Sequence, residues 1–146
     1  MAEDPVVDDV AGALQSSVRL LVQRLRQTQA VEGDLTSSET SALARIDRVG
    51  PTTAAELARL ERISPQSMGA TLGALEERGL VRRAPDPDDG RRLIMSLTDE
   101  GQELLRRRRQ ARNELLSHAL ADGFTRAELA QLLVAAPLIE RLAQSL

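Results

Sequence analysis

The 35 residues from Ser64 to Thr98 decide the fold, and they read SPQSMGATLGALEERGLVRRAPDPDDGRRLIMSLT. Their first half has the pattern of a short helix. Ser64 and Pro65 suit an N-cap followed by a first helical residue, and Gly79 stands where glycine commonly terminates a helix. Spacings of three and four residues place three apolar side chains on one side of this helix: Met68, Leu72 and Leu75. We therefore predict a helix over these residues with its apolar side buried.

The second half of this stretch changes from a helical period to that of a strand. Residues 80–84 and 92–97 alternate in the manner of short strands, and the intervening segment 85–90 is rich in Pro, Asp and Gly. The pattern predicts two antiparallel strands with the segment 85–90 at the tip of a hairpin.

Helices are predicted on both sides of this stretch. A helix of about 20 residues begins near Val7 and should stop near Gly33-Asp34, and a long helix runs from Thr98 to Asp122-Gly123. Three capping boxes are predicted at further helix starts, each a threonine with Glu three residues later: Thr36/Glu39, Thr53/Glu56 and Thr125/Glu128. Pro137 predicts a kink in the last helix. The predicted fold is mainly α with a small two- or three-stranded β-wing, which is the arrangement of a winged helix-turn-helix.

Composition excludes several functional classes. The chain has 146 residues, enough for one domain, and it lacks Cys, which excludes disulfides and thiol chemistry. Its single histidine, His118, disfavours both a zinc site and a catalytic base. No apolar run approaches the roughly 18 residues of a membrane span, and the residues after Met1 are acidic, unlike a signal peptide. We expect a soluble, cytoplasmic, non-enzymatic domain with no metal, no cofactor and no membrane contact.

The charge is unevenly distributed along the chain. Between Arg62 and Arg112 there are 11 Arg and eight Asp or Glu, although the whole chain has a formal net charge of −3. A locally basic segment in an acidic molecule is consistent with a surface that faces phosphates. An uneven scatter of solvated charges would give the same count, so the charge alone does not distinguish the two.

Four segments, taken in order and spacing, resemble the MarR-type winged-helix transcription regulators. They are Leu35-Thr36, residues 50–58 (GPTTAAELA), residues 75–81 (LEERGLV), and residues 86–92 (DPDDGRR) continuing to 97–101 (LTDEG). The resemblance implies a single MarR-like domain over residues 1–146. Residues 1–33 and 99–146 would form dimerisation helices, and residues 36–98 a DNA-binding lobe. It also implies a homodimer on a palindromic operator, and terminal helices rich in Leu and Val agree with burial against a second copy.

The recognition helix of such a lobe presents its N-terminal residues to the base edges of double-stranded DNA. With Met68 directed inward, the candidate contacts on the exposed side are Ser64, Gln66, Ser67 and Thr71. Gln66 can bond adenine through two hydrogen bonds, and Thr71 can reach a phosphate or a thymine methyl. Ser64 can donate to a phosphate beside the free backbone N–H groups. The same residues would also suit an ordinary solvent-exposed helix face.

The wing carries the rest of the implied DNA contacts. The resemblance matches Arg91 to an arginine that enters the minor groove and Asp89 to the acid that orients it. A narrow A·T-rich groove attracts an inserted guanidinium, although an exposed hairpin tip with a surface ion pair is the simpler alternative. Further phosphate contacts are expected on the strands: Arg82, Arg83 and Arg92. Many relatives have Thr-Arg where this chain has Gly69-Ala70, so base-specific readout is expected to be weaker here.

The resemblance implies a sequence-specific transcription regulator, by family habit a repressor, with the option of release by a small apolar or phenolic effector. A chain with one Phe and no Tyr or Trp predicts an aliphatic, arginine-lined effector pocket. The alternative is a winged-helix module that binds only protein. A steep salt dependence of DNA binding would separate the two, because it arises from phosphate neutralisation.

Overall fold

The computed structural model describes residues 5–29 and 35–146, and it contains nine elements over those residues. In chain order they are α1 (Pro5–Gln29), α2 (Ser37–Val49), β1 (Thr52–Thr53), α3 (Ala54–Glu61), α4 (Pro65–Glu77), β2 (Val81–Pro85), β3 (Leu93–Leu97), α5 (Asp99–Gly123) and α6 (Arg126–Gln144). This order confirms the predicted winged helix-turn-helix. The predicted stop of the first helix, at Gly33-Asp34, lies outside the described residues.

The wing is a three-stranded antiparallel sheet in the order β1-β3-β2. The hairpin strands pair from Val81 opposite Leu97 to Pro85 opposite Leu93. The two-residue strand β1 adds to the other edge, with Thr52 opposite Met95. Thr53 also caps α3, so its participation in a strand is not evident from its capping pattern alone.

The core lies where α2, α3 and α4 meet the inner face of the wing. Fully buried side chains include Leu43, Ile46, Leu57 and the predicted inward face of α4, namely Met68, Leu72 and Leu75. Met95 of β3 is also buried. Val49, three residues after the buried Ile46, is 47% exposed, because α2 ends there and the chain turns away at Gly50.

The three threonine caps differ in completeness. Each hydroxyl accepts the backbone N–H three residues later, at 3.1 Å for Thr36 and 3.2 Å for Thr53 and Thr125. The reciprocal bond from the glutamate side chain is formed at Thr125, by Glu128. The glutamates of the other two pairs contact arginines instead, so the full capping box was correctly predicted for α6 alone.

A group of hydrogen bonds around Thr98 joins α4, the wing and α5. The hydroxyl of Thr98 donates to the carbonyl of Gly79 at 2.6 Å and accepts the backbone N–H of Gly101 at 3.1 Å. The Thr98 N–H donates to the Leu80 carbonyl at 3.1 Å. Gly79 has φ +72°, which glycine adopts without strain, and Gly101 is buried directly against the backbone of Leu80. The start of α5 is therefore fixed to the turn that connects the short helix to the hairpin.

The chain divides into two compact units, one ending at Arg108 and the other beginning at Arg109. The first unit contains the winged helix-turn-helix and the core residues named above. Among the described residues, no helix is both long enough and apolar enough to cross a membrane.

Replacing Gly101 with Ala is expected to lower the free energy of unfolding by about 1–3 kcal/mol, because the new methyl group would overlap the carbonyl oxygen of Leu80. Urea denaturation at a fixed protein concentration measures the effect. Gly69→Ala is the matched control, since a Cβ at this helical position meets no atom within 4 Å. The control should leave the stability unchanged or raise it by up to about 1 kcal/mol, and equal effects of the two substitutions would contradict the close contact at Gly101.

Candidate nucleic-acid interface

The N-terminus of α4 presents polar side chains to solvent. Ser64, Gln66 and Ser67 are exposed, and Thr71 is half-buried one turn further along. The opposite side of the same helix is held in the core by three fully buried residues, so α4 cannot rotate without opening the core. The first turn is therefore a rigid, solvent-facing surface of the kind that enters a DNA groove.

The hydroxyl groups of this surface are already engaged within the helix. Ser64 accepts the backbone N–H of Ser67 at 3.1 Å and donates to the Ser67 hydroxyl at 2.9 Å. Thr71 donates to the carbonyl of Ser67 at 3.0 Å. Ser64 is thus the N-cap of α4, and its hydrogen bond to Ser67 fixes the first turn of the helix. Gln66 has its whole amide available on the exposed face.

The residues between these polar groups are small. Gly69 and Ala70 are exposed, and a Cβ built on Gly69 or Gly73 meets no atom within 4 Å. The exposed face of α4 therefore carries little side-chain bulk between its first turn and Glu77. Beyond its first turn, this face of α4 therefore offers few side chains to a binding partner.

The tip of the wing is ordered by its aspartates. Asp86 accepts the backbone N–H of Asp88 at 2.9 Å, and Asp89 accepts the backbone N–H of Arg91 at 3.1 Å. Asp89 therefore orients Arg91 through its backbone. Two further backbone bonds, between Asp86 and Arg92 and between Arg92 and Asp89, close the turn at 2.9 and 3.0 Å. The side chain of Arg91 is exposed at the tip.

The three other wing arginines do not share one face. Arg92 lies in the turn before β3, so its predicted position on a strand is wrong. Side chains alternate along a strand, and Arg82 and Arg83 consequently lie on opposite faces of β2. Arg82 lines a shallow groove at the start of α5 with Asp99 and Glu100. Arg83 forms an ion pair with Glu76 of α4 at 3.4 Å.

A cavity of about 500 Å³ opens in the first unit, behind the short helices. Two arginines line it, Arg26 of α1 and Arg108 of α5, together with the hydroxyls of Ser37, Ser38, Thr40 and Ser41. Arg108 is 7% exposed and donates to the Thr40 hydroxyl at 3.0 Å. The predicted pocket was aliphatic and arginine-lined. This cavity has the arginines and an aliphatic part formed by Leu35, Ala44, Ile63 and Met68, and it also has a wall of hydroxyl groups that was not predicted.

Sequence reasoning missed Arg108 and Glu61 as cavity residues. Arg108 follows Leu104 and Leu105 at helical spacings of four and three, which places it on their buried side, so its burial could have been inferred. Glu61 accepts from the hydroxyl of Ser41 and, at 2.7 Å, from Nε of Arg45. Burial by itself raises the pKa of Glu61, but these hydrogen bonds outweigh it and hold the pKa below its ordinary value. The cavity wall therefore contains an ionised carboxylate fixed to α2.

The architecture defines the class of the protein. A short helix capped by Ser64, packed on two others and followed by an arginine-tipped hairpin, is a winged helix-turn-helix module of the DNA-binding kind. Among the described residues, no cluster of three or more His, Cys, Asp or Glu is arranged to hold a metal ion.

Comparisons with known proteins identify the family. Residues 33–92 match the sequence model of the MarR family. An HTH-type transcriptional regulator of Mycobacterium tuberculosis is 35% identical over 116 residues, which are 77% of this chain and 81% of that protein. The HTH-type transcriptional repressor NicR of Pseudomonas putida is 34% identical over 79 residues, covering 54% of this chain and 50% of its own.

Solved structures agree with these sequence matches. A transcriptional regulator protein from Pseudomonas aeruginosa has 34% identity and a TM-score of 0.85, covering 97% of this chain and 98% of its own. A MarR family protein from Bacillus stearothermophilus shares the fold, with 19% identity, a TM-score of 0.80 and coverage of 99% and 98% of the two chains. The chain belongs to the MarR family of DNA-binding transcription regulators, which are not enzymes. The predicted resemblance is confirmed.

Ser64→Ala is expected to lower the free energy of unfolding by about 1 kcal/mol, because it removes the N-cap acceptor of α4. Ser64→Thr should retain most of the stability, since threonine also caps helices. Ser67→Ala is the control, because its hydroxyl is not the acceptor of the capped N–H. Thermal or urea unfolding provides the comparison. If Ser67→Ala were as destabilising as Ser64→Ala, the capping role would be wrong.

Proposed function

We propose that the protein is a homodimeric repressor that binds a palindromic operator through two winged-helix lobes. The first turn of α4 enters the major groove, where Gln66 reads a base and Ser67 and Thr71 contact base edges or phosphates. Ser64 holds the N-terminal N–H groups of α4 toward a phosphate. The observation that carries the proposal is a rigid polar helix start combined with an ordered, exposed arginine tip in one unit.

In the wing, we infer that Arg91 enters the adjacent minor groove while Asp89 holds its backbone. Arg82 and Arg92 contact the flanking phosphates. The guanidinium is suited to a narrow minor groove, whose negative potential is concentrated where A·T pairs are frequent. With few base-reading groups on α4, the wing supplies a large share of the binding free energy.

Dimerisation is supported by apolar surface on the terminal helices. In α1, Val6, Val7 and Leu20 are at least 55% exposed, and in α6 Leu133 and Val134 are 77% and 69% exposed. Side chains of this type on two helices of a small chain indicate an interface with another protein surface.

With twofold symmetry, lobes in successive major grooves imply half-sites about 10 base pairs apart, centre to centre. NicR, a relative named as a repressor, supports repression as the outcome of binding.

Arg91→Ala is expected to weaken operator binding about tenfold and to reduce the slope of log affinity against log salt by about 1. Fluorescence anisotropy measures both on the duplex that the wild-type protein selects from fragments of its source genome. Gln66→Ala is the contrasting variant. It should leave the salt slope unchanged and relax the preference at one base position. Unaltered affinity and slope in Arg91→Ala would remove the wing tip from the interface.

The cavity supports a second element of the proposal, release of DNA by a small organic anion. Arg26 and Arg108 supply positive charge, and the surrounding hydroxyls supply hydrogen bonds to a carboxylate or phenolate. The carboxylate of Glu61 in the same wall is already paired with Arg45. The volume of about 500 Å³ falls within the usual range of small-molecule sites. A ligand there contacts α2 and the α3–α4 region together, so it can favour one arrangement of the lobe over another.

Benzoate is a suitable probe for this class of anion. We expect it to release the protein from its operator, and Arg26→Gln should raise the concentration required about tenfold by removing a charge-assisted bond. Arg24→Gln is the matched control, since Arg24 lies two residues away on α1 and does not line the cavity. Titration of the protein–DNA complex gives the required values. Failure of benzoate to act, or an equal effect of the two substitutions, would exclude this anion-release mechanism.

A further inference from the structure

Arg83 lies on the core-facing side of the hairpin. It pairs across the strands with Met95, which is 1% exposed, and it follows the buried Val81 by two residues. Residues two apart on a strand, and residues directly opposite on neighbouring strands, lie on the same face. The Arg83 side chain therefore extends along the inner face toward α4, whereas Arg82 lies on the outer face.

The partner of Arg83 is at the C-terminal end of α4. Oε2 of Glu76 is 3.4 Å from Nη2 of Arg83, and the two side chains are 44% and 38% exposed. The next residue is also acidic, Glu77, and the end of a helix carries a partial negative charge. These two carboxylates and the helix end attract the guanidinium of Arg83 and repel a DNA phosphate. Arg83 is thus poorly placed for the phosphate contact that its position in the sequence predicted.

The ion pair joins the recognition helix to the wing beyond the root of the hairpin. At the root, the N–H of Leu80 donates to the carbonyl of Leu75 at 3.0 Å, and the buried Val81 and Met95 hold the strands against the core. Arg91 lies about 20 Å beyond this root, at roughly 3.3 Å per residue of strand. A rotation of the hairpin by about 10° would therefore move its tip by about 3 Å, enough to change its fit to a groove. Attachment at Arg83 restrains that rotation.

We propose that Glu76 and Arg83 are positioning residues, which set the distance from the α4 N-terminus to Arg91 without touching DNA. This inference rests on the proposed use of α4 and Arg91 in one operator site. An exposed ion pair contributes little to overall stability, but it can restrain the angle of a hairpin whose outer part, residues 84–93, is mostly exposed. The pair acts through Arg91, so its effect depends on that side chain.

A double-mutant cycle on the selected operator duplex tests the proposal. Glu76→Gln and Arg83→Gln should each weaken binding about two- to fivefold, and the double variant should be no weaker than either. The salt slope should stay unchanged in Arg83→Gln, and neither substitution should have a further effect when Arg91 is already Ala. Glu77→Gln is the control for loss of a negative charge beside DNA, and it should bind as tightly as the wild type or more tightly. Melting curves followed by circular dichroism establish that all variants fold.

Two results would overturn the inference. If Glu76→Gln binds as tightly as Glu77→Gln while Arg83→Gln lowers the salt slope by about 1, Arg83 contacts a phosphate directly. If Arg83→Gln weakens binding equally with and without Arg91, the pair does not act through the wing tip. Absence of selective binding by the wild-type protein, or an unchanged Arg91→Ala, would instead refute the proposed DNA interface itself.

Discussion

The structure depends on the contact between Thr98 and the turn that follows α4. One hydroxyl accepts from the start of α5 and donates to the carbonyl of Gly79, so the recognition helix, the hairpin and the long helix meet at one point. Gly101 allows this approach because it has no side chain to separate α5 from Leu80. The start of α5 is therefore fixed to both α4 and the hairpin. An effector bound near Arg108, on the same helix, would act on the junction that orients them.

Local patterns predicted most of the fold. Ser64-Pro65 and Gly79 gave the limits of α4, the apolar spacing gave its buried face, and the change of period after Gly79 gave the hairpin. These features are local because caps, periodicity and turns involve residues within a few positions of each other. The strand β1 was less evident, since two residues have no period and Thr52–Thr53 pair with a strand about 40 positions later.

The candidate site was predictable in composition but less so in its geometry. Exposure of Gln66 and Arg91 followed from their positions in a helix and a turn. The partner of Arg83 did not, because a sequence shows neither which face of β2 meets α4 nor which acid lies within reach. The polar wall of the cavity was missed for the same reason: Thr40 and Arg108 are 68 positions apart and meet only through packing. Alternation along β2 could have shown in advance that Arg82 and Arg83 diverge.

The wing presents its positive charge only as arginine, in a chain that contains no lysine at all. Guanidinium groups stay protonated throughout the physiological range, and they are not substrates for lysine acetylation, the modification that removes positive charge from many DNA-binding surfaces. Lysine acetylation therefore cannot remove the positive charge of this wing. In the proposed DNA complex, the properties left for an effector to alter would be the spacing and angle of α4 and the wing.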